Sequence, residues 1–153
     1  NEPTSPTKYQ MVRRIDMCNP QKENCNVETP TGAGAFTPNK SAPHGIRWSK
    51  LTGKIYSIQE EYKEIAEINP TTYEVTNRFD LANTSYTSFG ISPDGRFLLL
   101  RGDTTPPTGT KLGVIDLGTA GNPKTDFNIQ ELTGTSPGSF KFSPDGKRLY
   151  ILA

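Results

Sequence analysis

The chain has 153 residues, of which 17 are basic and 16 acidic, so its formal net charge is +1. The charges are interspersed without a basic run, which predicts no nucleic-acid partner and no anionic membrane surface as partner. No segment reaches the roughly 18 apolar residues of a membrane-spanning helix. Fourteen Gly and 13 Pro exceed average usage and indicate turn-rich, all-β structure without long helices.

The first part of the chain differs in composition from the rest. Residues 1–8 are polar and contain Pro, which predicts a flexible lead-in. Residues 9–17 (YQMVRRIDM) alternate as a strand does, and a further strand is expected near residues 25–29. Residues 1–4 (NEPT) are typical of a processed terminus, which favours a secreted, periplasmic or cell-surface location.

Cys18 and Cys25 are the only cysteines and lie in one polar loop. An even count with no unmatched thiol suits an oxidising compartment, so a disulfide between them is the favoured interpretation. Two cysteines and one histidine supply too few ligands for zinc, and the C-x-x-C-H motif of covalent haem attachment is absent. We therefore predict neither a metal site nor a cofactor.

The remaining chain repeats one pattern three times. Residues 88–100 (SFGISPDGRFLLL) and 139–153 (SFKFSPDGKRLYILA) match closely, and residues 44–58 (HGIRWSKLTGKIYSI) are a weaker copy. In each copy, alternating apolar residues precede a turn and a second run of apolar residues follows it. Pro fixes φ at the first corner, Asp bonds the backbone ahead of it, and Gly accepts the left-handed conformation. Each copy therefore predicts a β-hairpin.

A second pair of strands follows each of the first two hairpins. Residues 63–81 and 112–132 each contain an apolar strand, a polar corner at Asn69 or Asp116, and a more polar outer strand. Four strands per unit, repeated every 42 to 51 residues, are typical of β-propeller blades and not of a β-sandwich. The predicted fold is all-β: a β-propeller segment of about two complete four-stranded blades plus partial blades at both ends.

These patterns predict the domain boundaries. A partial blade with the Cys-containing loop covers residues 9–43, complete blades cover 44–87 and 88–135, and the first two strands of an incomplete blade cover 136–153. Closed propellers typically have four to eight blades, so this segment is too short to close alone. One interpretation is that these residues are part of a longer propeller, whose remaining blades lie in another protein chain, were cleaved away or are absent from this sequence. The other is that a second copy shares strands to give six blades with two-fold symmetry.

The S-P-D-G-[KR]-x-L motif is followed by V-I-D at residues 114–116, and I-N-P-T-T-Y-E-V follows the first hairpin at residues 68–75. This combination resembles the repeats of the YVTN-type and lactonase-like β-propeller superfamily of secreted and periplasmic proteins, over about residues 42–153. The resemblance implies a propeller fold. It implies no single activity, because that superfamily includes lactonases, redox-enzyme subunits, cell-surface proteins and binding scaffolds.

Four residues are candidates for binding on the channel face of the propeller: His44, Arg47, Arg101 and Asp103. His44, the only imidazole, lies where the chain enters an innermost strand, and is either a ligand or base, or a hydrogen-bonded loop residue. Arg47 either binds an anion in the channel or packs between blades. Arg101 and Asp103 flank Gly102 in an integrin-type tripeptide, a motif short enough to occur by chance.

No catalytic residue can be assigned from the sequence. Asp94 and Asp145 occupy equivalent turns of separate repeats, and are interpreted as turn-forming. The G-x-S-x-G, H-E-x-x-H and phosphate-loop motifs are absent. The leading hypothesis is a secreted or periplasmic propeller segment serving as a binding or assembly module. The alternative is part of a propeller enzyme, a lactonase-like hydrolase or redox-enzyme subunit, with its site at the central channel.

Overall fold

A computed structural model of the chain describes residues 15–22, 43–82, 86–102, 111–129 and 139–152. These residues contain ten strands: β1 (Pro43–Trp48), β2 (Ile55–Gln59), β3 (Glu64–Ile68), β4 (Val75–Asp80), β5 (Tyr86–Ile91), β6 (Phe97–Gly102), β7 (Lys111–Asp116), β8 (Lys124–Asn128), β9 (Ser139–Phe142) and β10 (Leu149–Leu152). No helix in these ranges is long and apolar enough to cross a membrane.

The strands form three antiparallel sheets in chain order. Strands β1–β4 make the first, here called blade 1, and β5–β8 make blade 2. Strands β9 and β10 pair only with each other and are called the terminal hairpin. The prediction of two complete blades followed by half a blade is confirmed. Of the partial blade predicted at residues 9–43, only 15–22 are described before β1, and these contain no strand.

A glycine with a positive φ closes each of the three hairpin turns. In each, a glycine N–H donates to the carbonyl of a preceding serine over 2.8–2.9 Å: Gly53 to Ser49, Gly95 to Ser92 and Gly146 to Ser143. The glycines have φ angles of +65°, +79° and +72°, as the turn pattern predicts. The copy in blade 1, which lacks Pro-Asp, is closed by the same kind of bond in a turn that is one residue longer.

The blades pack face to face through alternate side chains of their strands. Tyr56, Ile58 and Ile65 of blade 1 are fully buried against a cluster on blade 2 that includes Leu98 and Leu100. On the opposite face of blade 2, a second cluster packs against the terminal hairpin: Leu99, Leu112 and Ile129 with Phe140, Phe142, Leu149 and Ile151. Because strand side chains alternate, blade 2 buries apolar residues on both faces.

Residues 15–22 pack on the remaining face of blade 1. Buried Glu64 forms an ion pair with Arg78, and the Asn19 side-chain amide donates to Glu64 Oε2 over 2.7 Å. Arg78 Nη2 in turn donates to the Cys18 carbonyl over 2.8 Å. The buried charge is therefore paired and also ties this segment to β3 and β4.

The turns of neighbouring units touch along one rim. Ser49 Oγ donates to the Gly95 carbonyl over 2.6 Å, which links blade 1 to blade 2. A Cβ added to Gly95 would lie 2.8 Å from the Lys50 nitrogen and 2.9 Å from the Leu51 nitrogen. Glycine is thus required at this turn both by its backbone conformation and by a backbone approach from the neighbouring blade.

Alanine substitutions at the three turn glycines separate these two requirements. We expect Gly53→Ala to lower the free energy of unfolding by about 1 kcal/mol, because no atom lies within 4 Å of its added Cβ and only the left-handed backbone is strained. Gly95→Ala should cost about 3 kcal/mol, because backbone atoms cannot move aside. Urea unfolding measures both.

Gly146→Ala is the matched control. Its Cβ would meet Pro93 Cδ at 3.5 Å, an ordinary contact, so its loss should resemble that of Gly53→Ala. Equal losses at all three positions would contradict a tight contact between blades 1 and 2.

Candidate functional site

Among the described strands, β1, β5 and β9 begin the three sheets in chain order, and each is hydrogen-bonded to a neighbouring strand on one side only. In a propeller the innermost strands line the central channel. Here they border a cavity of about 370 Å³, lined by Arg47 of β1, residues 89–91 of β5 and all of β9. We call this the channel-wall cavity. It brings together side chains from all three described units.

Arg47 is the sequence-predicted residue that the structure places in this cavity. Its guanidinium carbon lies 5.2 Å from the centre of the Phe89 ring, a cation–π geometry. Its Nη1 donates to the Ile46 carbonyl over 2.7 Å. Among the described residues, no acidic side chain forms an ion pair with Arg47. Within the described part of the chain, the group next to the Arg47 guanidinium is therefore an aromatic ring and not a carboxylate.

A β-bulge precedes Arg47 in β1. The register shifts between His44 and Ile46, so Gly45 is an extra residue, with φ of +75°. Ser57 Oγ donates to the Gly45 carbonyl over 3.2 Å and holds the bulge against β2. Bulges re-aim the side chains beside them. The bulge at Gly45 sets the direction of the Arg47 side chain. In the sequence, the glycine of H-G-I-R is the only indication of this bulge.

Sequence reasoning missed Phe140 of β9. Its ring packs over Gly90 of β5, where an added Cβ would lie 3.1 Å from it. Lys141 follows Phe140 but is paired with Tyr150 of β10, so its side chain lies on the exposed face of the terminal hairpin, away from Phe140. None of the described residues that line the cavity is acidic.

His44 lies elsewhere, at the start of β1. Its Nε2 is 3.2 Å from Glu60 Oε2, in the turn between β2 and β3, and it does not line the cavity. Within the described ranges, no three His, Cys, Asp or Glu residues are grouped so that they could hold a metal ion. His44 therefore lies in a strand, and not in the loop that the sequence predicted, and it has a carboxylate partner there.

Arg101 and Gly102 lie in β6, a central strand of blade 2. Arg101 is paired with Leu112 of β7, and Gly102 is buried. Asp103 lies outside the described residues. The first two residues of the tripeptide are therefore part of a sheet, not of an exposed loop, and the structure does not bring Arg101 to the channel-wall cavity.

Cys18 lies at the point where residues 15–22 meet blade 1. It is buried, and the described residues include no free cysteine. Cys25 lies outside the described residues, so the pairing of the two stays a prediction.

The aspartates of the repeated turns bond within their own turns. Asp145 Oδ1 accepts from Ser143 Oγ over 2.6 Å and from the Lys147 N–H over 3.1 Å. Asp94 accepts equivalently from Ser92. The serine hydrogen bond lowers the pKa of each carboxyl below its usual value. These bonds support the turn-forming interpretation.

A bidentate ion pair joins the β5–β6 turn to the end of β7. Arg96 Nε and Nη2 donate to the two carboxylate oxygens of Asp116, each over 2.8 Å. The Arg96 hydrogen bond lowers the pKa of Asp116 well below its usual value of 3.8. The sequence identified Asp116 only as a polar corner, because its partner is 20 residues away.

Removing this ion pair should change stability in a pH-dependent way. Because the Asp116 pKa is lowered by folding, the stabilisation is fully present above about pH 4 and is lost as the pH falls through the folded pKa. Arg96→Gln should therefore destabilise the protein at pH 7, and the difference from the wild type should shrink as the pH falls below about 4. Urea unfolding at several pH values measures this.

Lys147→Gln is the matched control, since Lys147 follows Gly146 as Arg96 follows Gly95 and forms no ion pair with a described residue. It should leave the pH profile unchanged. A carboxyl NMR titration gives the direct readout: an Asp116 pKa that stays low in Arg96→Gln would rule out the ion pair as its cause.

Comparison with known proteins identifies the fold. No family model and no curated protein matches the chain. A putative 6-phosphogluconolactonase from Bacteroides fragilis is 16% identical with a TM-score of 0.55, over 74% of this chain and 32% of that one. The Pseudomonas aeruginosa periplasmic gluconolactonase is 22% identical with a TM-score of 0.53, over 75% and 33%. The Myceliophteria thermophila Cps50 (Swd1) β-propeller domain is 15% identical with a TM-score of 0.52, over 80% and 41%.

The chain has a β-propeller fold. It spans about a third of the length of the putative 6-phosphogluconolactonase and of the periplasmic gluconolactonase. At these identities the likeness concerns the fold alone, and the YVTN label stays a prediction.

Proposed function

We propose that this chain is an extracytoplasmic β-propeller segment that works as a binding and assembly module. Its open ends bind further blades and its channel face binds a ligand. The observation that carries this proposal is the terminal hairpin, which is half a blade. Strand β10 has no partner beyond β9 among the described residues, and Tyr150 and Leu152 are 53% and 67% exposed.

Blade 2 indicates what belongs on this open side. Phe127 of β8 is 45% exposed, and it lies on the face of blade 2 that buries Leu112 against the terminal hairpin. In blade 2, the inner hairpin β5–β6 is completed by β7 and β8. A pair of strands added to β10 would cover Phe127 and complete a third blade. Unpaired apolar edges favour such strand addition.

Among the described residues, nothing covers the part of the other end that lies near the channel. Ile46 and Trp48 of β1 are each 58% exposed, on the face opposite Arg47. Residues 15–22 cover only the outer part of this face, at Glu64 and Arg78. Both ends therefore present apolar side chains of the kind that are buried between blades 1 and 2.

The compartment is part of the proposal. A disulfide between Cys18 and Cys25 would fix the segment that packs on blade 1, and disulfides persist outside the cytoplasm. One of the similar structures is described as periplasmic. The YVTN-type repeat, which the S-P-D-G motifs suggest, is also common outside the cytoplasm.

The mass of the native particle tests the assembly. Light scattering of the native protein is compared with the intact mass of the denatured chain. A 16.8 kDa chain in a two-fold particle would support strand sharing between copies. A second polypeptide or a heavier denatured chain would identify the source of the remaining blades. A stable, folded monomer of 16.8 kDa would contradict the proposal.

A substitution on the open face sharpens this test. Leu152→Asp should weaken assembly by at least about tenfold, because burial of a leucine side chain is worth about 1.5–3 kcal/mol. Tyr73→Asp is the control: Tyr73 is also an exposed large side chain, but it lies in the β3–β4 turn. Equal effects of the two variants would show that the open face is not the site of assembly.

A second candidate function is hydrolysis of a lactone at the channel mouth. The His44–Glu60 pair favours it, because a carboxylate orients an imidazole that can act as a general base toward water. Two similar structures are described as gluconolactonases, one of them putative.

Lactone hydrolysis gives a direct test of this candidate. The native particle should accelerate opening of δ-gluconolactone above the buffer rate, and His44→Asn should lower that acceleration by about a hundredfold. Lys50→Gln, a change in the exposed turn that follows β1, should have no effect. Absence of acceleration by the wild type would remove the hydrolase and leave the binding module.

A further inference from the structure

The two open ends of the segment are complementary. The terminal hairpin corresponds to the inner two strands of a blade, and no described strand pairs with its outer side. On blade 1, residues 15–22 cover the outer part of the end face, at Glu64 and Arg78, whereas Ile46 and Trp48 of the innermost strand are exposed. Among the described residues, one end therefore has an inner hairpin without an outer half, and the other has an outer cover without an inner hairpin.

The outer face of the terminal hairpin repeats the face of blade 1 that packs on blade 2. In blade 1, Arg47 is paired with Tyr56, and both side chains face blade 2. In the terminal hairpin, Lys141 is paired with Tyr150 at the same distance from the turn. Tyr56 is fully buried, whereas Tyr150 is exposed. The terminal hairpin therefore presents, still exposed, the kind of surface that packs one blade on the next.

Contacts between inner strands follow one spacing. Arg47 of β1 lies on the Phe89 ring of β5, and Gly90 of β5 lies under the Phe140 ring of β9. In both pairs, the residue two before the turn serine of one unit meets the residue three before the turn serine of the next. A cation or a glycine therefore faces an aromatic side chain across each of these two boundaries.

Lys141 continues this series at the open end, because it stands two residues before Ser143. Blade 1 supplies the facing position: Ile46 stands three residues before Ser49, and Trp48 lies on the same face as Ile46. The alkyl chain of a lysine packs on apolar side chains, and its ammonium binds the face of an indole. The exposed side chains of the two ends are therefore suited to each other.

The rim of turns shows the same complementarity. Gly95 lies against the backbone of the blade 1 turn, and Gly146 lies against Pro93 of the blade 2 turn. Gly53 of blade 1, by contrast, has no atom of a described residue within 4 Å of an added Cβ. Beyond the terminal hairpin, Pro144 takes the place of Pro93 in the repeat and borders a cavity of about 450 Å³. A turn such as that of Gly53 has room to pack there.

We propose that the unit which packs on the terminal hairpin is blade 1 of a second copy of this chain. The outer face of the hairpin, here called the tail, contains Lys141, Tyr150 and Leu152. The exposed inner part of blade 1, here called the head, contains Ile46 and Trp48. The tail of each copy packs on the head of the other, so two identical contacts close a particle with two-fold symmetry. The inference rests on the proposed assembly and names its partner.

Trp48 is the only tryptophan of the chain, so its fluorescence reports this contact without a substitution. We expect the emission maximum of the native particle to lie at a shorter wavelength than that of dissociated Leu152→Asp, in which Trp48 is exposed as in the single chain. Dilution of the wild type should shift its emission toward that of the variant. Equal emission maxima in the two-copy wild type and in dissociated Leu152→Asp would contradict the contact.

Mixing two variants tests the head-to-tail order. Trp48→Lys alters the head and places a second cation against Lys141, and Leu152→Asp alters the tail. Each variant alone should form the two-copy particle at least about tenfold more weakly than the wild type, because both of its contacts are damaged. An equimolar mixture should associate more strongly than either variant alone, because one contact then joins an unaltered head to an unaltered tail. Light scattering over a series of concentrations measures this.

Tyr73→Lys is the matched control for the head variant, since Tyr73 is an exposed aromatic residue in the β3–β4 turn of the same blade. It should assemble as the wild type does. Circular dichroism checks that each variant is folded, and dilution of the wild type tests the same contact without any change in blade 1.

Three results would overturn the proposal. Full assembly of Trp48→Lys would show that the head is not part of the contact. A mixture that associates no more strongly than the separate variants would exclude the head-to-tail order. A second polypeptide in the native particle, or a denatured chain heavier than 16.8 kDa, would replace the second copy and leave the proposed assembly intact. A folded wild-type monomer would instead contradict the proposed assembly itself, so the two failures are distinguishable.

Discussion

The structure depends on one constraint: a blade that is apolar on both faces needs a neighbour on each side. Blade 2 satisfies this constraint. Its face with Leu98 and Leu100 packs against blade 1, and its face with Leu99 and Leu112 packs against the terminal hairpin. Among the described residues, the terminal hairpin packs on a neighbour through one face only. The interaction that stabilises the middle of this segment is therefore the same one on which the proposed assembly at its ends depends.

The same constraint creates the channel-wall cavity. Face-to-face packing brings β1, β5 and β9 side by side, although these strands are far apart in the chain. Neither Arg47 nor Lys141 is needed for the apolar core, since both are exposed. Substitution of these two residues is therefore not restricted by core packing, whereas neighbouring residues such as Phe140 are held in place by it.

The elements that the sequence predicted are those set by local chemistry. The S-P-D-G turns and the alternating residues around them contain all that is needed for a hairpin, so the four-stranded units and their order were predictable. The cation–π contact of Arg47 with Phe89 and the ion pair of Arg96 with Asp116 join residues from different strands. Such contacts depend on how the sheets and turns pack against each other. The distance between two side chains on different strands cannot be read from one sequence. The strand predicted at residues 9–17 stays a prediction: only residues 15–17 of it are described, and these three lie outside any strand.

The backbone approach at Gly95 has a geometric consequence for the whole ring. Blades 1 and 2 touch there without an intervening side chain, whereas the next turn, at Gly146, stands against the Pro93 ring. The distance between turns on one rim, compared with the spacing at the inner edge, sets the rotation from one blade to the next. That rotation, repeated, determines how many blades complete a circle. A hydrogen atom in place of a methyl group at one turn thus helps to set the curvature to which any added blades must conform.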